Sequence, residues 1–384
     1  MINPSAIPLS LYIHLPWCIR KCPYCDFNSH EGFSSAAQEP YVAALLADLD
    51  SQRQWLSDRP IQSVFIGGGT PSLFEGDWIA RLLQGISARM SIASDAEITL
   101  ESNPGSAETS RFNAYRQAGI NRLSIGVQSF DDRTLQTLGR IHSGDEARKA
   151  LDLVSEAGFD RWNIDLMHGL PGQHADSAEA DLAEAIDRSA GHISWYQLTI
   201  ERNTHFWSAR PELPDEAALE AIQNRGEALL RQTRFEQYEV SAFSGLAEQS
   251  QHNLNYWGFG DYIGLGAGAH GKISLPDNKI IRTQRTRSPS DYLKQLSASP
   301  APQPPFRSVA NGDRIVEFAM NTLRLREGVP LDQFTERTGL PQDDLVGASQ
   351  IAVARGWLTA PEDGRFAATP LGFRFLDSVV ETFL

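Results

Sequence analysis

Apolar and polar positions alternate with a period of two over residues 11–15 (LYIHL), a β-prone run that ends at Pro16. From 40 to 56 the period lengthens, and Tyr41, Leu45, Leu49 and Leu56 fall near one face of a helix. A short apolar run at 61–66 then reads as a buried strand, stopped by Gly67-Gly68-Gly69. The alternation recurs, with helices over 78–90, 110–118, 145–157 and 175–190 and strands over 97–101, 122–128, 161–167 and 192–200. Strands alternating with helices in this way predict an α/β protein whose parallel sheet, joined by right-handed crossovers, curls into a partial (β/α)6 barrel.

In such sheets chemistry collects beyond the C-terminal strand ends. Residues 18–25, Gly67 to Pro71, Glu101 to Pro104, Gln128, Asp165 and Thr199 all fall at or just after predicted strand ends. Singly, each reads as well as a turn, a helix cap or a strand-end hydrogen bond. Gathered on one rim, they suit a ligand with ammonium, carboxylate and ribose groups.

Beyond a helix over 214–232 and a strand over 237–243, the glycine-dense run 262–271 (YIGLGAGAHG) has no helical pattern after it. That argues against a dinucleotide loop and for close backbone approach at a site rim. Lys279, Arg282, Arg285 and Arg287 read as a solvated face, with pairing to ligand carboxylates as the alternative. The proline-rich stretch 297–305 marks a boundary. After it, helices over 315–325, 331–338 and 345–355 and a hairpin of 357–359 with 365–368 around Glu362-Asp363-Gly364 suggest a winged-helix-like α+β domain. The expected plan is a barrel over 1–240, an extension over 241–305 and the small domain over 306–384, packed on or covering the barrel.

Composition adds to this picture in three ways. A hydrophobic content of 41% supplies an ordinary core for 384 residues. The start carries no secretory signal, and no apolar run reaches the ~18 residues of a membrane span, so a soluble, cytoplasmic protein is expected. A formal charge of −14 opposes binding to phosphate backbones, and the last 79 residues hold eight arginines, no lysine and eleven acidic residues, so nucleic acid is not an expected partner.

The chain's three cysteines, Cys18, Cys22 and Cys25, lie within eight residues. Three thiolates at C-x3-C-x2-C spacing suit an iron–sulfur cube that lacks one protein ligand. A structural zinc would need a fourth ligand from His14, Asp26 or His30.

Followed by Gly67-Gly68-Gly69-Thr70-Pro71, the cysteine loop resembles that of radical S-adenosylmethionine (SAM) proteins. Glu101-Ser102-Asn103-Pro104, Gly126-Val127-Gln128-Ser129-Phe130 and the run Asn163 to Pro171 resemble the branch holding the oxygen-independent coproporphyrinogen III dehydrogenases and the haem chaperones. The resemblance implies a [4Fe-4S] cluster on the three cysteines, its fourth iron open to SAM. It implies SAM contacts at Tyr12, Tyr24, Gly68, Gly69, Thr70, Glu101, Gln128, Arg140, Asp165 and Thr199. The dehydrogenase motif carries a further cysteine where this chain has Phe27, and a longer N-terminal arm where ten residues precede the first predicted strand. Conversely, His252-Asn253-Leu254-Asn255-Tyr256-Trp257 resembles the H-N-x-x-Y-W signature of the chaperones, implying haem at His252, Tyr256 and Trp257, with His30, His168 and His270 as alternative axial ligands. The implied function is a haem chaperone serving respiratory membrane proteins; the alternative is a coproporphyrinogen III dehydrogenase. A homodimer, and a reductant protein or NAD(P)H-linked electron donor, are partners this reading allows.

Overall fold

The computed structural model describes residues 1–56, 58–189, 191–360 and 363–384, apart from the side chains of 106 and 107. Strands β1 (Leu9–Leu15), β2 (Ile61–Gly68), β3 (Ile92–Ser102), β4 (Arg122–Gln128), β5 (Trp162–His168) and β6 (His192–Gln197) pair in parallel in that order. Their odd and even positions divide as a closing sheet requires. Leu11, Ile13, Val64, Leu100, Ile125 and Ile164 are fully buried in the main core with residues of the surrounding helices. The intervening Tyr12, Phe65, Glu101, Gly126, Asp165 and Tyr196 occupy the opposite face. The helices are cut by local signals. Ser143 and Glu146 form a reciprocal cap at the start of Gly144–Glu156, and Gly119, at φ +107°, ends Phe112–Ala118.

Both edges of this sheet are extended. The run expected as one strand over 237–243 is two, β7 (Glu236–Glu239) and β8 (Ala242–Ser244), and β8 lies antiparallel to β6. On the other edge β9 (Asp261–Leu265) lies parallel to β1 and leads to antiparallel β10 (His270–Leu275), β11 (Lys279–Gln284) and β12 (Phe306–Ser308). The glycine-dense run is therefore the β9–β10 connection, and its glycines serve close approach to protein backbone. A Cβ on Gly264 would stand 2.0 Å from the His270 carbonyl oxygen, and one on Gly266, at φ +105°, 2.3 Å from that of His14.

The solvated face expected at 279–287 is corrected in part. Lys279 and Arg287 are exposed, but Arg282 pairs with Glu317 at 2.7 Å, and Arg285 is buried against Asp48 at 2.5 Å. Alternation along β11 and its continuation turns these two guanidiniums toward protein carboxylates.

The C-terminal part has helices Asn311–Thr322, Asp332–Thr338 and Gln342–Ala354 and a small antiparallel pairing of 329–330 with 365–366. The expected hairpin pairs through Leu358 and Ala368, while Glu362 of its turn lies outside the described residues, as does Ala190 at the end of the helix expected over 175–190. Phe318 and Phe334 share a second core with Ile2, Ile7, Phe259 and Ile280, so this part packs directly on the barrel sheet. Among the described residues no helix is long and apolar enough to cross a membrane.

Candidate functional site

The loop after β1 is fixed mainly by its own backbone. Cys18 N–H donates to the His30 carbonyl (2.9 Å), His30 N–H to that of Pro16 (2.7 Å), and Thr70 N–H to that of Trp17 (2.7 Å). Asn28 ties it to the β9–β10 side by donating to the carbonyls of Ala267 and Arg287, both at 2.9 Å. His14 Nε2 lies 2.9 Å from the Asn28 carbonyl, which can only accept. Its Nδ1 is therefore the acceptor for the Tyr12 hydroxyl at 2.8 Å. Packing dictates two glycines of the Gly67-Gly68-Gly69 run. A Cβ on Gly69 would meet the Trp17 carbonyl oxygen at 2.5 Å, and one on Gly68, at φ +118°, the His14 ring at 2.7 Å.

These segments frame a cavity of about 420 Å³ lined by all three cysteines. Of the residues singled out from the sequence, Tyr24, Gly68, Gly69, Thr70, Glu101, Gln128, Arg140, Asp165 and Thr199 line it as well. Tyr12 does not; its ring lies deeper along β1, stacked on Phe65 and His252. Ser124, Ser194 and Tyr196 also line it and were not among the expected residues, although strand alternation, which sets Ser124 two residues from Gly126 and Ser194 two from Tyr196, is a signal that points to them. Glu239 and Ser241 also line it, but their place at the turn between β7 and β8 leaves no local mark in the sequence.

The electrostatics are unusual for an interior. The Glu101 carboxyl, reached by Gly68 N–H at 3.1 Å, is pushed up to about 8, first by burial and then by the Asp165 carboxylate. Burial likewise raises Asp165, against the hydrogen bonds of Ser124 (2.9 Å) and Asn163 (2.7 Å). Neither carboxylate forms a salt bridge within 4.0 Å among the described residues. Arg140 is clamped by Asn103 Oδ1 (2.6 Å) and the Gly126 carbonyl (2.7 Å), with Cys22 Sγ at 3.6 Å. Gln128 ends β4 in the left-handed region, φ +69°, beside a break in register with β5, and accepts from the Tyr196 hydroxyl at 2.7 Å. Such strain at a cavity wall fixes a side chain's aim.

This donor set fits a cluster with SAM. Three thiols share one wall, with Cys18 and Cys25 raised by burial, so that metal must displace their protons. Two buried carboxyls face the space a ligand ammonium or sulfonium would fill. Among the described residues no three His, Cys, Asp or Glu side chains are grouped to hold a single metal ion, the arrangement the zinc alternative needs.

The haem-motif residues lie elsewhere. Helix Gln251–Trp257, capped by Ser250, docks on the inner face of the sheet. Glu97 accepts from Arg122 (3.0 Å), Ser250 (3.3 Å) and His252 N–H (3.3 Å). His252 is 8% exposed, its ring 4.4 Å from Phe65 and 4.5 Å from Tyr256, with Nδ1 unpartnered among the described residues, and burial lowers it to about 3. Tyr256 stacks on Tyr262, and Trp257 lies under Arg324. His168 is likewise buried, against Trp195, and lowered to about 4. His270 is exposed and His30 half-buried.

Comparison with known proteins agrees with this architecture. The sequence matches the Radical SAM superfamily over residues 12–185 and the HemN C-terminal domain over 309–375. The heme chaperone HemW of Escherichia coli (strain K12) is 48% identical over 377 residues, covering 98% of each chain. That of Haemophilus influenzae is 45% identical over 385 residues, covering 99% of each. The solved structure of coproporphyrinogen III oxidase (HemN) from Escherichia coli, a radical SAM enzyme, shares the fold with a TM-score of 0.82 at 21% identity, over 99% of this chain and 91% of its own. With cysteine loop, glycine run, carboxylate wall and C-terminal domain all inside one chain-long likeness, the chain belongs to the radical SAM superfamily and, within it, to the family of proteins named heme chaperone HemW.

Proposed function

We propose that the protein is a cytoplasmic haem chaperone that binds haem and passes it to haem-requiring proteins of the respiratory membrane, retaining a [4Fe-4S] cluster and SAM. The observation that carries this reading is the 48% identity with the Escherichia coli heme chaperone HemW across 98% of both chains. Phe27 supports it: where the dehydrogenases resemble one another in a further cysteine, this chain places a phenylalanine, 58% exposed, on the cavity wall.

Cys18, Cys22 and Cys25 would hold the cluster, and Glu101, Asp165 and Gln128 the ammonium and ribose groups of SAM. When bound, the pair supplies one-electron cleavage of a carbon–sulfur bond. The protein's part is to orient: Arg140 sets a fixed cation beside Cys22, and the Glu101 carboxyl gives up its proton when a cation enters. A reductant protein or NAD(P)H-linked donor, and a homodimer, belong to the same proposal.

For haem, His252 has a neutral imidazole with Nδ1 free of partners among the described residues, but it becomes a ligand only when its helix parts from Phe65 and Tyr12. His270 and His30 are reached without that movement. The test is a haem titration of the cluster-loaded protein, followed by incubation with haem-depleted respiratory membranes. Near-stoichiometric binding and transfer to the membranes are expected; haem that stays on the protein, or does not bind, overturns the reading.

The second reading, a coproporphyrinogen III dehydrogenase, has the three cluster cysteines and the carboxylate wall in its favour but lacks the further cysteine at Phe27. Turnover of that substrate decides between the two.

A further inference from the structure

A second cavity, of about 270 Å³, lies on the other side of helix Gln251–Trp257, between it and the C-terminal domain. Leu254, Asn255, Gly258 and Gly260 form one wall; Leu325, Pro330, Gln333 and Arg337 face them. The Arg337 guanidinium is the feature that needs explaining. Its Nε and Nη1 are fully buried without a hydrogen-bond partner among the described residues. A buried donor on a permanent cation is costly to leave unmade.

The acid that acts most strongly on Arg337 is Asp261, and it is already engaged. Asp261 is saturated by Arg59 (2.9 Å), Lys272 (3.0 Å) and Ser274 (N–H at 3.1 Å, hydroxyl at 2.8 Å). Gln333 already donates to the Gly258 carbonyl at 2.9 Å. Arg59, Lys272 and Arg337 thus all lie around this buried carboxylate, and among the described residues the other acid felt at Arg337 is exposed Glu336. Lys272, in the same cluster, shows the cost of burial there. Lys272 is lowered to about 8, by burial first and despite Asp261, with Arg282 and Arg337 also pushing it down.

We propose that this cleft is an oxyanion site, with Arg337 as its cation, taking a carboxylate or phosphate group. The guanidinium supplies the donors, and Asn255 Oδ1, without a hydrogen-bond partner among the described residues, is an acceptor for a hydroxyl or water accompanying the anion. Leu254, Leu325 and Pro330 supply apolar contact for whatever carries it. Two sources share this chemistry: a free anion, and a propionate arm of a porphyrin held beside the same helix.

The test uses the full-length, cluster-loaded protein in calorimetry at constant ionic strength, titrated with inorganic phosphate and with propionate against a chloride control. One saturable site per chain is expected, weakened at least tenfold in Arg337→Gln while the cluster absorbance is unchanged. Heats no different from chloride, or equal in both proteins, overturn the proposal. Should the variant fold poorly, crystals of the unaltered protein soaked in arsenate decide: an anomalous peak within hydrogen-bond distance of Arg337 supports the site, and water alone there refutes it. Haem and its dimethyl ester then separate the sources. Tighter binding of the free acid, lost in Arg337→Gln and competed by phosphate, assigns the site to a propionate; equal binding of both assigns it to a free anion. The phosphate titration needs no haem, so its failure is distinct from failure of the chaperone reading.

Discussion

Glu101 shows how one side chain can couple SAM to protons. With its folded value near 8, raised from the ordinary carboxylate range, the empty protein keeps this proton through neutral pH. The sign follows: its contribution to stability is complete below the unfolded value and is lost as pH rises through about 8. A cation held against the carboxylate reverses the preference, so SAM bound there as proposed would release a proton. SAM affinity should rise by up to about tenfold per unit toward pH 8, and Glu101→Gln should flatten that slope; calorimetry in buffers of different ionisation enthalpy checks both. At the cluster, Cys22→Ser should abolish assembly, and iron and sulfide content unchanged from the parent would refute the ligand assignment. These residues were legible in the sequence because each stands at a strand end or in a short motif. Ser241 and Glu239 were not, because they reach the same cavity from a turn placed by antiparallel pairing far along the chain.

Among the elements, helix Gln251–Trp257 matters most. It packs between the barrel and the Arg337 cleft, with His252 turned toward Tyr12 and Phe65 and Leu254 lining the cleft. Its anchor is the buried Glu97, which also meets Arg122 and Arg161. Glu97→Gln leaves Arg122 without its charge partner and should cost about 3–5 kcal/mol, with faster amide exchange across 250–257 than elsewhere in the barrel. Exchange raised uniformly would show that the helix is held by other means. Periodicity alone marks the six central strands. The sequence hid β9, whose close neighbours demanded glycine in place of the β-branched residues that signal a strand. It also hid the partners of Arg282 and Arg285, which are carboxylates brought in from other elements by the fold.

At the scale of the whole molecule, the two ends of the barrel sequence are locked together at Asp48. Its carboxylate meets Arg285, the Tyr292 hydroxyl (2.8 Å), Gly266 N–H (3.2 Å) and Gln52 (2.8 Å). Asp48→Ala strands Arg285 in the interior, and urea unfolding should show a loss of about 3–5 kcal/mol. The shared core of Ile2, Ile7, Phe259 and Phe318 makes the C-terminal domain a continuation of the same body. One frame thus carries the cysteine-lined cavity at the strand ends and, apart from it, helix Gln251–Trp257 against β1, β2 and β9, and the central claim is that the frame carries haem without converting porphyrins. The direct measurement divides one anaerobic, cluster-loaded preparation between haem and coproporphyrinogen III with SAM and reductant. The account predicts a saturating Soret band with haem and no decarboxylated porphyrin above the protein-free control; decarboxylated porphyrin formed over many turnovers would contradict it.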